Sequence, residues 1–184
     1  SYLGPDFSDD DIKAILDSKN IQYHRYDDPS LFASVAQLIA DEKVIGWFQG
    51  RMEFGPRALG NRSIIGDARS PKMQSTMNLK IKYRESFRPF APSILSEQVS
   101  DVFELEEESP YMLLVAPVKK ELWKERDENQ SGLAMINSPR STVPAITHVD
   151  QSARIQTVNS DDNPRYHALI SHFWKLTGSP VIIN

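Results

Sequence analysis

Apolar residues along this chain fall at helical spacing in some stretches and in short unbroken runs in others, which predicts helices and strands in alternation. Ser8 and Asp11 form a capping box ahead of Ile12, Ile15 and Leu16, the stripe of a short amphipathic helix. The tyrosine-rich run Ile21 to Tyr26 predicts a strand ending at Asp27-Asp28-Pro29. Asp28 is then the expected N-cap, with Pro29 in the first turn, of a helix whose Phe32, Val35, Leu38 and Ile39 share a face. Val44 to Phe48 predicts a buried strand, and Ser63 to Gly66 a second one beyond a glycine-rich turn.

The second half follows the same logic. Ser70-Pro71 opens a predicted helix reaching about Ile81, and its Met73, Met77 and Ile81 repeat every fourth residue as a core stripe. Asn78 on that helix is placed to look toward the nearby basic residues. Ile94-Leu95 continues the extended segment begun by Pro89 and Pro92, and Glu97 to Val102 predicts a turn of helix. The acidic run Glu104, Glu106, Glu107 and Glu108 reads as solvated surface. Tyr111 to Val118 predicts a strand, Lys119 to Glu128 a charged helix or loop, and Gln130 to Val143 a surface loop. Thr147 to Val149 and Arg154 to Val158 predict a strand pair across a turn at Asp150-Gln151. Asp162 is the expected cap of a helix from Pro164, with Tyr166, Leu169, Ile170, Phe173 and Trp174 on its apolar face and Gly178 closing it. Val181 to Ile183 is a last strand. The order predicts an α/β domain, a mixed sheet with flanking helices, spanning residues 1–184.

Charge changes the picture in one place. The net charge is −4 over 184 residues, yet Arg51 to Arg88 holds nine basic and three acidic residues. A basic stretch on an acidic chain suits a focused pocket for a small anion better than a nucleic-acid coat, so no nucleic-acid partner is expected. Arg51, Arg57 and Arg62 sit among Gly50, Gly55 and Gly60 in the turn between two predicted strands, and Lys80, Lys82, Arg84 and Arg88 follow. Such cations repel one another unless an anion joins them, and guanidinium forks with nearby backbone N–H groups hold phosphate well. The turn matches neither a GxxxxGK[ST] phosphate loop nor a GxGxxG fingerprint.

Other chemistry is excluded or thin. The chain has no cysteine, so disulfides, thiolate catalysis and cysteine-bound metals drop out. His24, His148, His167 and His172 lack metal-ligand spacing, and no metal site is expected. His148 beside Asp150 is the only local histidine–acid pair; it is counted as a candidate ligand contact, with a strand residue bonded to backbone as the plain alternative. Ser63 has no base beside it, which argues against a nucleophilic triad. The longest apolar runs fall far short of a membrane span, so the expected location is cytoplasmic. The chain opens without methionine and ends on an apolar run, so a piece cut from a longer protein is the expectation.

Gly50-Arg51-Met52-Glu53-Phe54-Gly55-Pro56-Arg57-Ala58-Leu59-Gly60-Asn61-Arg62-Ser63-Ile64, followed by Asp67-Ala68-Arg69, resembles the hallmark of the carbamoyltransferases of antibiotic biosynthesis and nodulation-factor decoration. Phe87 to Ser93, Ser109 to Met112, Pro144 to Asp150, Ala153 to Val158, Asn163 to Tyr166 and Thr177 to Val181 are similar to further blocks of that family, in the same order. The resemblance implies the family's C-terminal part, a YrdC-like domain that forms carbamoyl-adenylate from carbamoyl phosphate and ATP, with Mg2+ accompanying the nucleotide. It also implies a separate N-terminal domain of actin-like ATPase fold, where a small-molecule alcohol accepts the carbamoyl group, and a short tail beyond Asn184. By the same likeness Lys82, Arg84 and Arg88 are the catalytic candidates, with Arg154 and Arg165 in the phosphate and adenylate pocket and Arg51, Arg57 and Arg62 lining or bracing it. Asn78 and His148 complete the candidate binding set. The competing reading is an RNA- or partner-binding module of the same fold without catalysis.

Overall fold

The centre of the protein is a six-stranded sheet whose innermost strands are apolar along nearly their whole length. A computed structural model describes residues 1–124 and 138–184. Its strands are β1 (Ile45–Phe48), β2 (Arg62–Asp67), β3 (Pro92–Leu95), β4 (Leu114–Pro117), β5 (Ser152–Val158) and β6 (Val181–Ile183), in the order β1-β2-β6-β3-β5-β4. Only β3 and β5 pair in parallel; the other neighbours are antiparallel. The sheet is therefore mixed, as expected, and helices cover it on both sides.

Burial follows position in that order. Every residue of β3 and β6 is buried, whereas the edge strands β1 and β4 are largely open. A strand covered on both faces must be apolar at consecutive positions, which explains the unbroken Val181-Ile182-Ile183. Val181 and Ile183 enter one core cluster and Ile182 the opposite one, as the two-residue period requires. Each such side chain is worth about 1.5–3 kcal/mol of burial.

One face is covered by α2 (Asp28–Ala40), through Phe32, Val35, Ala36 and Ile39, and by the C-terminal helix α5 (Pro164–Thr177), through Tyr166, Leu169, Ile170 and Phe173. Leu38, expected on the buried face, is 42% exposed. The opposite face packs Met73 and Met77 of α3 (Met73–Met77), Val99 and Val102 of α4 (Val99–Val102), and the segment Val143 to Ile146. The α1 helix (Asp9–Ser18) has its Ser8–Asp11 capping box but buries no residue.

Several expectations are corrected. Ile21 to Tyr26 forms no strand; it pairs with no strand of the sheet, and Ile21, Tyr23 and Tyr26 stay exposed. Asp27, not Asp28, caps α2 by accepting the Ser30 N–H at 2.9 Å, because Asp28 is engaged by Arg165 at 2.8 Å. Likewise Asn163, not Asp162, caps α5. The helix expected to reach Ile81 becomes a π-type turn over Asn78–Lys82 and stops at Tyr83, which has φ +48°. The wider turn takes Ile81 off the buried face and leaves it 38% exposed. β4 starts at Leu114 instead of Tyr111 because Met112, at φ +56°, closes a turn on the carbonyl of Ser109. Thr147 to Val149 follows a short 3-10 turn (Pro144–Ile146) and is not a strand; β5 pairs with β4 instead. Lys120–Leu122 form a 3-10 turn, and residues 125–137 of the two expected loop segments lie outside the described residues. The loop's end is not at the surface, since Ser141 and Val143 are buried.

Candidate anion-binding cleft

The loop joining β1 to β2 carries the glycine and arginine motif, and its backbone is gripped from two sides. Glu53 is buried, and its Oε1 accepts the N–H groups of Leu59 at 2.7 Å, Asn61 at 2.8 Å and Arg62 at 3.3 Å. Its charge is therefore satisfied by backbone donors rather than by a neighbouring arginine. From the sheet, Gln156 Nε2 donates to the Leu59 carbonyl at 2.8 Å, and Asn184 Nδ2 to the Ala58 carbonyl at 3.3 Å. Gln49, Asn61 and Asn163 form a buried amide network beneath the loop. Gly60 has φ +103°, and a Cβ there would lie 2.2 Å from Tyr166 Cδ1, so only glycine lets the loop close onto α5.

This grip presents Arg57 to a cleft of about 390 Å³, lined also by Lys82, Arg84, Arg154, Phe90, Met112 and Asn184. Among the described residues no acidic side chain lines it. Burial, with the Arg88 charge behind it, holds the Arg84 guanidinium below the usual arginine range; burial and the Arg57 charge do the same to Arg154. Burial is the larger cause in both, and Glu85 partly opposes the shift of Arg84. Arg57 Nε and Arg154 Nε are sealed from solvent and have no hydrogen-bond partner among the described residues. Arg84 is oriented: its Nε donates to Asn78 Oδ1 at 2.6 Å, and its guanidinium lies 4.8 Å from the centre of the Phe90 ring. Asn78 itself is buried and donates to the carbonyls of Ser86 and Arg88.

The other sequence candidates go elsewhere. Arg62 touches the rim, but its guanidinium donates to the carbonyls of Gln49, Gly50 and Asn61 and stacks 3.5 Å over Phe48. It braces the loop. Arg51 is exposed, and Arg88 is exposed and paired with Glu85 at 3.4 Å. Arg165 pairs with Asp28 beside α1, away from the cleft lining. His148 is half-buried outside the lining, and burial lowers its pKa, opposed by Asp150. Among the described residues no group of three or more histidines and acids could hold a metal, and no helix is long and apolar enough to cross a membrane.

Sequence reasoning missed Ser93, Gln156 and Asn184. Their signal is a polar side chain within a central strand, for Ser93 and Gln156, or directly after one, for Asn184. Ser93 Oγ donates to Gln156 Oε1 at 2.7 Å, which also accepts from Asn184 Nδ2 at 2.8 Å. Three adjacent strands thereby meet under the cleft.

Residues 36–184 match the family described as Carbamoyltransferase C-terminus. The whole chain is 57% identical to 31% of an uncharacterised protein of Synechocystis sp. and 41% identical to 25% of the nodulation protein NolNO of Sinorhizobium fredii. Over 83% of its length it is 38% identical to 3'-hydroxymethylcephem-O-carbamoyltransferase of Streptomyces clavuligerus, covering 25% of that enzyme. The chain thus spans about a quarter to a third of the relatives it matches.

Proposed function

The chain belongs to the carbamoyltransferase C-terminus family, and from that premise we propose that its basic cleft binds carbamoyl phosphate and ATP and forms carbamoyl-adenylate. The observation that carries the reading is the pair Arg57 Nε and Arg154 Nε, buried and, among the described residues, unpartnered in a cleft whose charged lining is wholly cationic. A buried donor without an acceptor costs about 1–3 kcal/mol, so such a site is arranged for an anion. In the overall conversion water cleaves carbamoyl phosphate to carbamate and phosphate. A carbamate oxygen then bonds the α-phosphorus of ATP as the bond to pyrophosphate breaks.

The side chains have separable tasks in this reading. Arg57 and Arg154 hold phosphoryl oxygens, and Arg84, aimed by Asn78 and Phe90, neutralises charge on the departing group. Lys82, exposed at the mouth, adds a mobile cation. Mg2+ arrives with the nucleotide. Arg88 and Arg51 contribute only to the field around the entrance. Transfer to a small-molecule alcohol belongs to a separate N-terminal domain of actin-like ATPase fold.

Incubating the chain with ATP, Mg2+ and carbamoyl phosphate, and measuring pyrophosphate, tests the chemistry. Titration calorimetry with each ligand tests the cleft. Pyrophosphate that depends on carbamoyl phosphate is the expected result. Absence of binding by either ligand overturns the reading. If an alcohol is carbamoylated by this chain alone, the division of labour is wrong.

A further inference from the structure

We propose that Gln156 is a positioning residue of the cleft: by tying the Leu59 carbonyl to the strand that carries Arg154, it fixes how far Arg57 stands from Arg154. The inference rests on reading the cleft as the carbamoyl phosphate site. Arg57 and Arg154 reach that cleft from different elements, one from the loop between β1 and β2 and the other from β5. Two guanidiniums repel, so a loop free to relax would carry Arg57 away before an anion arrived. A site ready for its ligand needs a tether that links the two walls.

Gln156 has the position of such a tether. It follows Arg154 by two residues on β5, so both side chains leave the same face of the strand, whereas Ala153 and Ile155 enter the core on the other face. Gln156 Nε2 donates to the Leu59 carbonyl at 2.8 Å, two residues along the loop from Arg57. Because a backbone carbonyl only accepts, the amide nitrogen must face Leu59 and the oxygen must face the sheet. There the oxygen accepts from Ser93 Oγ at 2.7 Å, and Ser93 accepts from the Tyr166 hydroxyl at 3.0 Å. Burial pushes the Tyr166 phenol above its usual range, so it remains a donor throughout ordinary pH. Tyr166, Ser93 and Gln156 are each at most 1% exposed, so bulk solvent does not replace a lost bond. Glu53 also holds the Leu59 peptide, at its N–H, and the Tyr2 hydroxyl donates to its carbonyl at 2.8 Å. Of the three, Gln156 alone lies on the strand of Arg154.

A double-mutant cycle on the affinity for carbamoyl phosphate, read by titration calorimetry, tests this. Gln156→Met keeps the length of the side chain and removes both hydrogen-bonding ends. It is expected to weaken binding about tenfold in the wild-type background and less than about twofold in Arg57→Met, where no guanidinium is left to misplace. If the methionine variant lacks a cooperative melting transition, Ser93→Ala enters the same cycle, since it frees the Gln156 oxygen with loss of only a hydroxyl. Its expected loss is about fivefold in the wild-type background and again less than about twofold in Arg57→Met. A merely structural role lowers affinity by the same factor in both backgrounds, and that result overturns the inference. So does a Gln156 variant that binds within about twofold of wild type, although the cleft then remains the anion site. A wild-type chain that binds no carbamoyl phosphate removes the reading of the cleft itself, and the role of Gln156 with it.

Discussion

Replacing Arg154 with methionine should raise the stability of the ligand-free protein and lower its affinity for carbamoyl phosphate, two effects of opposite sign from one substitution. Arg154 sits on β5 opposite Val115, with Nε buried and unpartnered and Nη2 only 3.7 Å from the weak acceptor Met112 Sδ. Burial and the Arg57 charge hold its guanidinium below the usual arginine range. A cation whose pKa falls on folding opposes folding while it is charged, and at neutral pH it is charged in both states, so the penalty does not vary over ordinary pH. An orphaned donor costs about 1–3 kcal/mol, and partial exposure reduces this to about 0.5–1 kcal/mol. Methionine removes the charge and the donor while keeping an unbranched apolar stem. The melting temperature should rise by about 1–4 °C for a domain of this size. Loss of a charged hydrogen bond to phosphate costs about 1.5–3 kcal/mol, or about ten- to 150-fold in Kd. Scanning calorimetry without ligand and titration calorimetry with carbamoyl phosphate measure the two halves. A variant that melts lower than wild type refutes the account of an uncompensated cation, and an unchanged Kd refutes the placement of the anion.

Four further outcomes follow from the same geometry. Gly60→Ala brings a methyl group within 2.2 Å of the buried Tyr166 ring at φ +103°, so a loss of about 3–5 kcal/mol is expected, and a melting temperature within two or so degrees of wild type would contradict the packing. Arg84→Lys loses the Nε bond to Asn78 and should weaken carbamoyl phosphate binding by more than about tenfold, whereas Arg88→Lys, at an exposed pair with Glu85, should change it less than about twofold. Glu53→Leu removes the acceptor for three loop N–H groups and should cost about 3 kcal/mol or more in denaturant unfolding, together with anion binding. Burial lowers the His148 pKa from 6.5, so the unfolded chain takes up a proton first as pH falls; the stability contribution is present above that value and lost below it. His148→Phe should flatten the decline in melting temperature between about pH 7 and pH 5.5, and an unaltered slope would rule out His148 as its source.

Much of the fold was legible because burial and local hydrogen bonding leave a periodic trace. The Ser8–Asp11 capping box, the four apolar positions of α5 and the unbroken Val181 to Ile183 each state their element within a few residues. The concentration of charge was legible too, since nine cations between Arg51 and Arg88 need no coordinates to stand out. What local pattern could not supply was the partner of each polar group.

Partners are set by chain segments far apart in sequence, and there the tertiary structure decided. Arg62 and Arg57 lie five residues apart in one motif, yet Arg62 is spent on loop carbonyls and Phe48, while Arg57 faces the cleft with an unpaired Nε. Arg165 is drawn away by Asp28 of another helix, and Arg154 is drawn in by β5. Glu53, a plausible counter-ion by proximity, is committed to backbone N–H groups once the loop folds over it. Asn184, unremarkable at the end of an apolar run, meets Gln156 Oε1 and the Ala58 carbonyl because β6 inserts between β2 and β3. Sequence determined which residues could be buried or charged. Only the folded sheet and loop determined which donors and acceptors were left over, because a hydrogen bond is short-ranged and directional, and its satisfaction is settled last, by packing.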